Sequence, residues 1–284
     1  MPSEPPSARS RRSFSGGGSA PAPFDGAQGV VSDSRTTKWR ARERVGESEG
    51  RSPSDKTEKV APYVFLGMTA VTGLVDAVSF LSLGRVFTAN MTGNVALLGF
   101  ATARAPGLSI TLSLTALVFF LGGAVLGGRI MARAGSDAHF QFAARVFLIE
   151  VVVLAAASLC AIGYKGDLTE RSAQPLALIA LTALAMGARN AAVRKLAIPD
   201  LTTTVLTLTL TGIAADSSLA HGNNVRLARR TGSVVAVLAG AAGGAIVVRH
   251  SLAVVLALAA AISAACNAAL SRSLRTSDEG VSHS

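Results

Sequence analysis

Eight long apolar segments follow one another along this chain, and they constrain its fold more than any other feature. A helix that crosses a bilayer needs about 20 apolar residues, with a range of about 17–25. Lipid offers the backbone no hydrogen-bond partners, so helices are favoured over open strands. We therefore predict an all-α polytopic membrane protein. The segments are residues 63–84, 86–103, 108–128, 146–163, 175–193, 201–220, 232–248 and 251–270.

Charge is concentrated at the N-terminus. Only 15% of the 284 residues are charged, whereas soluble domains carry about 25%, and residues 1–60 hold 11 of the 27 Lys and Arg residues. This Ser-, Arg-, Gly- and Pro-rich stretch cannot bury a core, so we predict a disordered basic tail over 1–60. A transmembrane domain is predicted over 61–272 and a short tail over 273–284.

The other basic residues indicate topology. The net charge of +10 does not indicate nucleic-acid binding, because most Lys and Arg residues outside the tail lie between apolar segments. If all eight segments cross, these residues divide equally between the two sides. If the second and sixth segments re-enter and return on the same side, eleven lie inside and five outside. The positive-inside rule therefore favours six transmembrane helices plus two re-entrant or broken segments, with both termini cytoplasmic.

The two exceptional segments resemble each other. Without gaps and at an offset of 115, "FTANMTGNVALLGFA" from Phe87 aligns Thr88 with Thr203 and Thr92 with Thr207. Upstream, "GLVDA" matches "GARNA" at an offset of 114, and downstream two Gly-x-x-x-Gly motifs match at an offset of 117. Each predicted half, about 61–163 and 175–272, then has three crossings, so the second half is inverted. Chance similarity between helices rich in small residues is the alternative.

Two residue patterns predict helix packing. Gly123, Gly127, Gly240 and Gly244 form two Gly-x-x-x-Gly motifs, which let helix backbones approach closely. Thr203, Thr207 and Thr211 form an i, i+4, i+8 stripe on a helix. Such a stripe either packs against a neighbouring helix or lines a substrate pathway, and the sequence leaves both readings open.

Asp76 is the sharpest candidate for chemistry. It lies 14 residues beyond Pro62, or about 21 Å along a helix, inside the hydrocarbon region. Ionisable residues there are expensive and are by default functional candidates. We expect Asp76 to lie beside the Thr92-Gly93-Asn94 turn, where a broken helix exposes backbone groups. The other pathway candidates are Asn90, Thr203, Thr207, Asn190 as the counterpart of Asp76 in the repeat, and Arg189 as its partner charge.

Other chemistries lack their residues. The four His and two Cys residues show no metal-ligand spacing, and no P-loop or nucleophile motif is present. We therefore expect neither an enzyme nor a protein with a metal or other cofactor. Glu150 is interpreted as an interfacial residue paired with Arg145.

The two segments around these candidates resemble a known family. "GLVDAVSFLSLGRVFTANMTGNVALLGFA" and "MGARNAAVRKLAIPDLTTTVLTLTLTGIAAD" are similar to the signature blocks of the YoaK-like family of bacterial integral membrane proteins, a domain of unknown function. The resemblance covers about residues 60–272. Arg189 and Leu208 stand where the family usually has Gln and Gly, and the long basic leader is atypical. The resemblance implies class and location and names no activity.

Two functional hypotheses follow. The first is a small secondary transporter or permease of the inner membrane, with the lipid bilayer and an unknown small molecule or ion as its partners. The second is a non-transporting membrane scaffold or partner subunit, in which the polar residues serve helix packing. Homo-oligomerisation is open under both hypotheses.

Overall fold

The computed structural model describes residues 55–135, 138–164, 166, 173–196, 206–224 and 226–282. The predicted basic tail lies outside these residues except for its last six, which belong to the first helix. The described residues form eight α-helices, one short 3-10 turn at Ser218–Ala220 and no strand. The helices are α1 Asp55–Ser82, α2 Met91–Thr102, α3 Ile110–Ala132, α4 His139–Cys160, α5 Ala173–Leu196, α6 Leu206–Ala215, α7 Leu227–Val247 and α8 Leu252–Ser282.

Six of these helices are long and apolar enough to cross a membrane, as the sequence predicts. The apolar spans are 21–24 residues long and lie in α1, α3, α4, α5, α7 and α8. The two short helices, α2 and α6, have 12 and 10 residues. At 1.5 Å per residue they are about 18 and 15 Å long, too short for a hydrocarbon core of about 30 Å. The prediction of six spanning helices plus two exceptional segments is therefore confirmed in helix number and length.

The chain folds back between α1 and α2. Backbone N–H groups of Thr88 and Ala89 reach Asp76, which lies six residues before the end of α1. The loop after α2 returns to the end of α1, where a Cβ atom on Gly107 would lie 3.3 Å from the Arg85 guanidinium. The start of α2 therefore lies beside α1 about 9 Å before the end of that helix, and the segment returns to the end of α1 from which it left.

The helices pack in a repeating pattern. Helix α3 lies along α5, and α1 lies along α7. Helices α4 and α8 pack against each other, α4 also contacts α5, and α8 also contacts α1. Each short helix rests on the long helix that follows it, α2 on α3 and α6 on α7. The buried core therefore lies among α1, α4, α5 and α8, and α3 and α7 present large apolar side chains outward.

Glycines bring two pairs of helices into close backbone contact. A Cβ atom on Gly123 or Gly127 of α3 would collide with the α5 backbone at Leu184 or Ala188. Gly240 and Gly244 of α7 stand in the same way against α1: a Cβ on Gly240 would collide with the Ala70 carbonyl, and one on Gly244 would lie 2.9 Å from the Ala77 Cβ. The four predicted packing glycines therefore allow α3 and α7 to touch their partners through the backbone.

Candidate functional site

Asp76 holds the start of α2. Its Oδ1 accepts hydrogen bonds from the backbone N–H groups of Thr88 at 3.2 Å and Ala89 at 2.9 Å. Thr88 and Ala89 immediately precede the N-cap residue Asn90, which makes no side-chain capping bond. The carboxylate of α1 thus holds the loop that leads into α2 by hydrogen bonding, and its charge lies near the positive end of the helix dipole.

Asn94 and Gly93 shape the loop before α2. The Asn94 amide bonds both backbone groups of Phe87, with its Oδ1 accepting from the N–H at 2.8 Å and its Nδ2 donating to the carbonyl. A Cβ atom on Gly93 would lie 2.8 Å from the Phe87 ring, which stacks on Phe80 at 4.9 Å. Asn94 and Gly93 therefore fix the turn, and Gly93 together with Thr92 also reaches the cavity beside it.

A cavity of about 320 Å³ lies where α1, α3 and α7 meet the first turns of both short helices. Among the residues that the structure describes, Asp76 is the only ionisable one that lines it. Its other polar lining comes from Thr72, Asn90, Thr92 and Thr207. Its apolar lining includes Phe120 of α3 and Val237 of α7. The structure thus brings Asp76, Asn90, Thr92, Gly93 and Thr207 together around one space.

Arg189 lies behind this cavity rather than in it. The guanidinium is fully buried and donates to Glu150 Oε1 at 3.0 Å and to the Met68 carbonyl at 3.1 Å. A third bond runs to the Thr72 hydroxyl at 2.6 Å. Thr72 lines the cavity one helical turn from Asp76, so a single hydroxyl separates the buried ion pair from the cavity. Arg189 is one of the eleven basic residues assigned to the inside in the six-span topology, and its burial reduces that number to ten.

Glu150 corrects one sequence-based interpretation. It was expected at the membrane interface beside Arg145, but it is fully buried and pairs with Arg189. Ser263 of α8 donates a further hydrogen bond to Glu150 Oε1 at 3.0 Å. This pair could not be predicted from the sequence, because Glu150 and Arg189 lie 39 residues apart on different helices. No local sequence pattern indicates that these two helices contact each other. An acid well inside an apolar segment was the signal that deserved more weight.

Of the two remaining candidates, one does not line the cavity and the other cannot be placed. Asn190 donates its amide to the Met186 carbonyl one turn earlier at 2.9 Å, a local bond within α5. Thr203 lies outside the described residues. Among the threonines of α6, Thr211 bonds back to the Thr207 carbonyl and Thr209 is the buried one. No group of three His, Cys, Asp or Glu side chains converges within the part of the chain that the structure describes.

Comparison with known proteins places the chain in a family. The family described as "Protein of unknown function (DUF1275)" matches residues 64–269, which include every described residue of the cavity. The chain belongs to this family. It is also 34% identical over 146 residues to the UPF0700 transmembrane protein YoaK of Bacillus subtilis (strain 168), an alignment covering 51% of the chain and 62% of that relative. No solved structure matches the chain.

Family membership confirms the resemblance drawn from the two signature blocks. Together with the six apolar helices, the transmembrane relative supports a multi-pass membrane protein. The chain spans about three fifths of the relative's length. The family description names no substrate or reaction, so the geometry of the cavity has to carry any functional inference.

Proposed function

We propose that this family member is a small secondary transporter or permease, and that its substrate binds in the cavity beside Asp76. The observation that carries the proposal is the convergence of a carboxylate with the first turns of two short helices inside the membrane-spanning region. Discontinuous helices that meet near the bilayer midplane form the substrate sites of many secondary transporters.

The helix crossings support an inverted repeat as the framework of such a transporter. Ala70 of α1 lies against Gly240, and Leu184 of α5 lies against Gly123. These pairs are related by offsets of 114 for α1 and α5 and 117 for α3 and α7. The same offsets relate the contact of Gly73 with Val237 to that of Gly187 with Phe120. Equivalent residues thus make equivalent contacts, and three crossings in each half imply opposite orientations.

The two halves differ in charge, which suggests how transport is coupled. Asp76 can gain and lose a proton, whereas its repeat counterpart Asn190 cannot. A proton or cation that binds at Asp76 would change the net charge of the cavity and hence its affinity for a second solute. We further propose that the protein lies in the inner membrane with both termini in the cytoplasm, because the charge bias of the six-span topology points that way.

A ligand screen with a matched charge variant tests the transporter proposal. The purified protein is heated in the presence of single metabolites and ions, and ligands are sought that raise its melting temperature. Asp76→Asn should abolish the shift of any true cavity ligand and remove the pH dependence of its binding. Asp216→Asn is the control, because Asp216 is half exposed and pairs with Arg230 outside the cavity. A ligand that stabilises wild type and Asp76→Asn equally argues against this site.

The two backbone hydrogen bonds that Asp76 accepts favour a second candidate function. A carboxylate that accepts two backbone hydrogen bonds has a structural reason to be there, as it would in a membrane scaffold or partner subunit. Under that hypothesis no solute is taken up by vesicles containing the protein, and Asp76→Asn leaves association with its partner unchanged. Uptake that requires Asp76 would reject the scaffold. We retain the expectation that the chain is not an enzyme.

A further inference from the structure

A second cavity lies between α4 and α8, away from the site described above. Its volume is about 290 Å³, and one face of each helix lines it. On α8, Asn267, Ser271 and Arg275 form an i, i+4, i+8 stripe of polar side chains. On α4, Gln141, Arg145 and Leu148 face the same space. None of these residues belongs to the cavity around Asp76.

The charge of this second cavity is positive. Arg145 and Arg275 are both exposed, and neither belongs to the ion pairs found among the described residues, Arg189–Glu150 and Arg230–Asp216. The Arg145 guanidinium lies over the Phe142 ring, 4.5 Å from its centroid. This cation–π contact holds the Arg145 guanidinium against the ring beside the cavity. Two such groups at one cavity match the oxygens of a phosphate.

The depth of the cavity indicates where that phosphate comes from. The apolar span of α8 ends at Arg275, and Arg145 lies six residues after the start of α4, less than two helical turns inside its span. Leu148 lies three residues further into the span than Arg145 and is 55% exposed. It therefore gives the cavity an apolar wall on the side nearer the hydrocarbon. Free phosphate would gain nothing from such a wall, whereas a phospholipid would place its acyl chains along it.

The polar stripe on α8 fits the same ligand. Asn267 lies eight residues before Arg275, or about 12 Å deeper along the helix. Its side-chain oxygen is buried and has no hydrogen-bond partner among the described residues. The ester groups of a phospholipid lie on the hydrocarbon side of its phosphate, the side on which Ser271 and Asn267 lie relative to Arg275. The side-chain N–H groups of Asn267 and the hydroxyl of Ser271 can donate to the ester oxygens while the arginines hold the phosphate.

We propose that this cavity binds the headgroup of an anionic phospholipid in the leaflet on the side of the α1 N-terminus. Phosphatidylglycerol is the anionic probe for this proposal, and phosphatidylcholine is the neutral comparison. The purified full chain should retain phosphatidylglycerol preferentially in native mass spectrometry. It should also melt at a higher temperature when phosphatidylglycerol is added.

The variant Arg145→Gln/Arg275→Gln should weaken phosphatidylglycerol binding by about 30-fold, from two basic contacts near the membrane surface. Arg249→Gln is the matched control, because Arg249 is an exposed arginine just before the opposite end of α8 and lines neither cavity. Equal retention by the double variant and the control would overturn the proposal. Displacement of bound phosphatidylglycerol by soluble glycerol phosphate, at the same concentration as by added phosphatidylglycerol, would also overturn it, because the site would then recognise a free anion.

Discussion

Truncation of Asp76 separates its structural role from its chemical one. In Asp76→Ala, the N–H groups of Thr88 and Ala89 lose their acceptor. Each buried donor left unpaired costs about 1–3 kcal/mol, so the variant should lose about 4 kcal/mol of stability. Asp76→Asn has the same shape and keeps an oxygen that can accept both bonds. Neutral bonds are about half as strong as charge-assisted ones, so this variant should lose less than about 2 kcal/mol.

The melting temperature in detergent distinguishes the two variants. Cys160 and Cys266 are partly buried free thiols, so a thiol-reactive fluorescent dye reports their exposure on unfolding. For a domain of about 200 residues, 1 kcal/mol corresponds to about 2–4 °C, so Asp76→Ala should melt about 10 °C earlier and Asp76→Asn less than half as much. If the melting temperature of Asp76→Ala is no lower than that of Asp76→Asn, the hydrogen bonds of Asp76 do not hold the loop before α2 in place.

Three further predictions concern packing, the buried ion pair and topology. Gly123→Ala should destabilise strongly, because the added methyl group meets the α5 backbone, whereas Gly122→Ala, with nothing within 4 Å, should be neutral in the same melting assay. Glu150→Gln should lower stability by about 3–5 kcal/mol, because it leaves the Arg189 guanidinium buried without its charged partner. In a chain whose native cysteines are replaced by Ala, Leu219→Cys, 94% exposed beyond α6, should react with a membrane-impermeant maleimide only from the cytoplasmic side.

Each of these predictions has an outcome that contradicts it. Equal melting of the two glycine variants would mean that the α3–α5 crossing is looser than the structure indicates. Replacing both members of the ion pair, in Glu150→Leu/Arg189→Met, should recover much of the loss, and no recovery would argue against charge burial as its cause. Ala103→Cys, after α2, should label from the opposite side to Leu219→Cys, and labelling of both from one side would rule out six spans with two re-entrant segments.

The sequence by itself determined the class of fold and most of its elements. Apolar length decides which helices can span, and this information is local, so six long helices and two short ones were predictable. The Gly-x-x-x-Gly motifs also act locally, because only the absence of a side chain allows the backbones to approach. The proximity of Asp76 to Thr92 and Gly93, which line the same cavity, was predictable. Only 16 residues separate Asp76 from Thr92, and this short connection limits where the chain can return.

Only the tertiary structure decided which polar residues face the cavity and which face each other. Arg189 forms its ion pair with Glu150 rather than with Asp76, because the packing of α4 against α5 places the Glu150 carboxylate 3.0 Å from the guanidinium. Asn190, its neighbour in sequence, bonds its own helix instead. A buried charge takes whichever partner the helix packing brings near, since an unpaired charge in a low-dielectric interior is costly. The sequence therefore shows which polar residues lie within apolar segments. The contacts between helices that are distant in sequence decide which of those residues pair with each other.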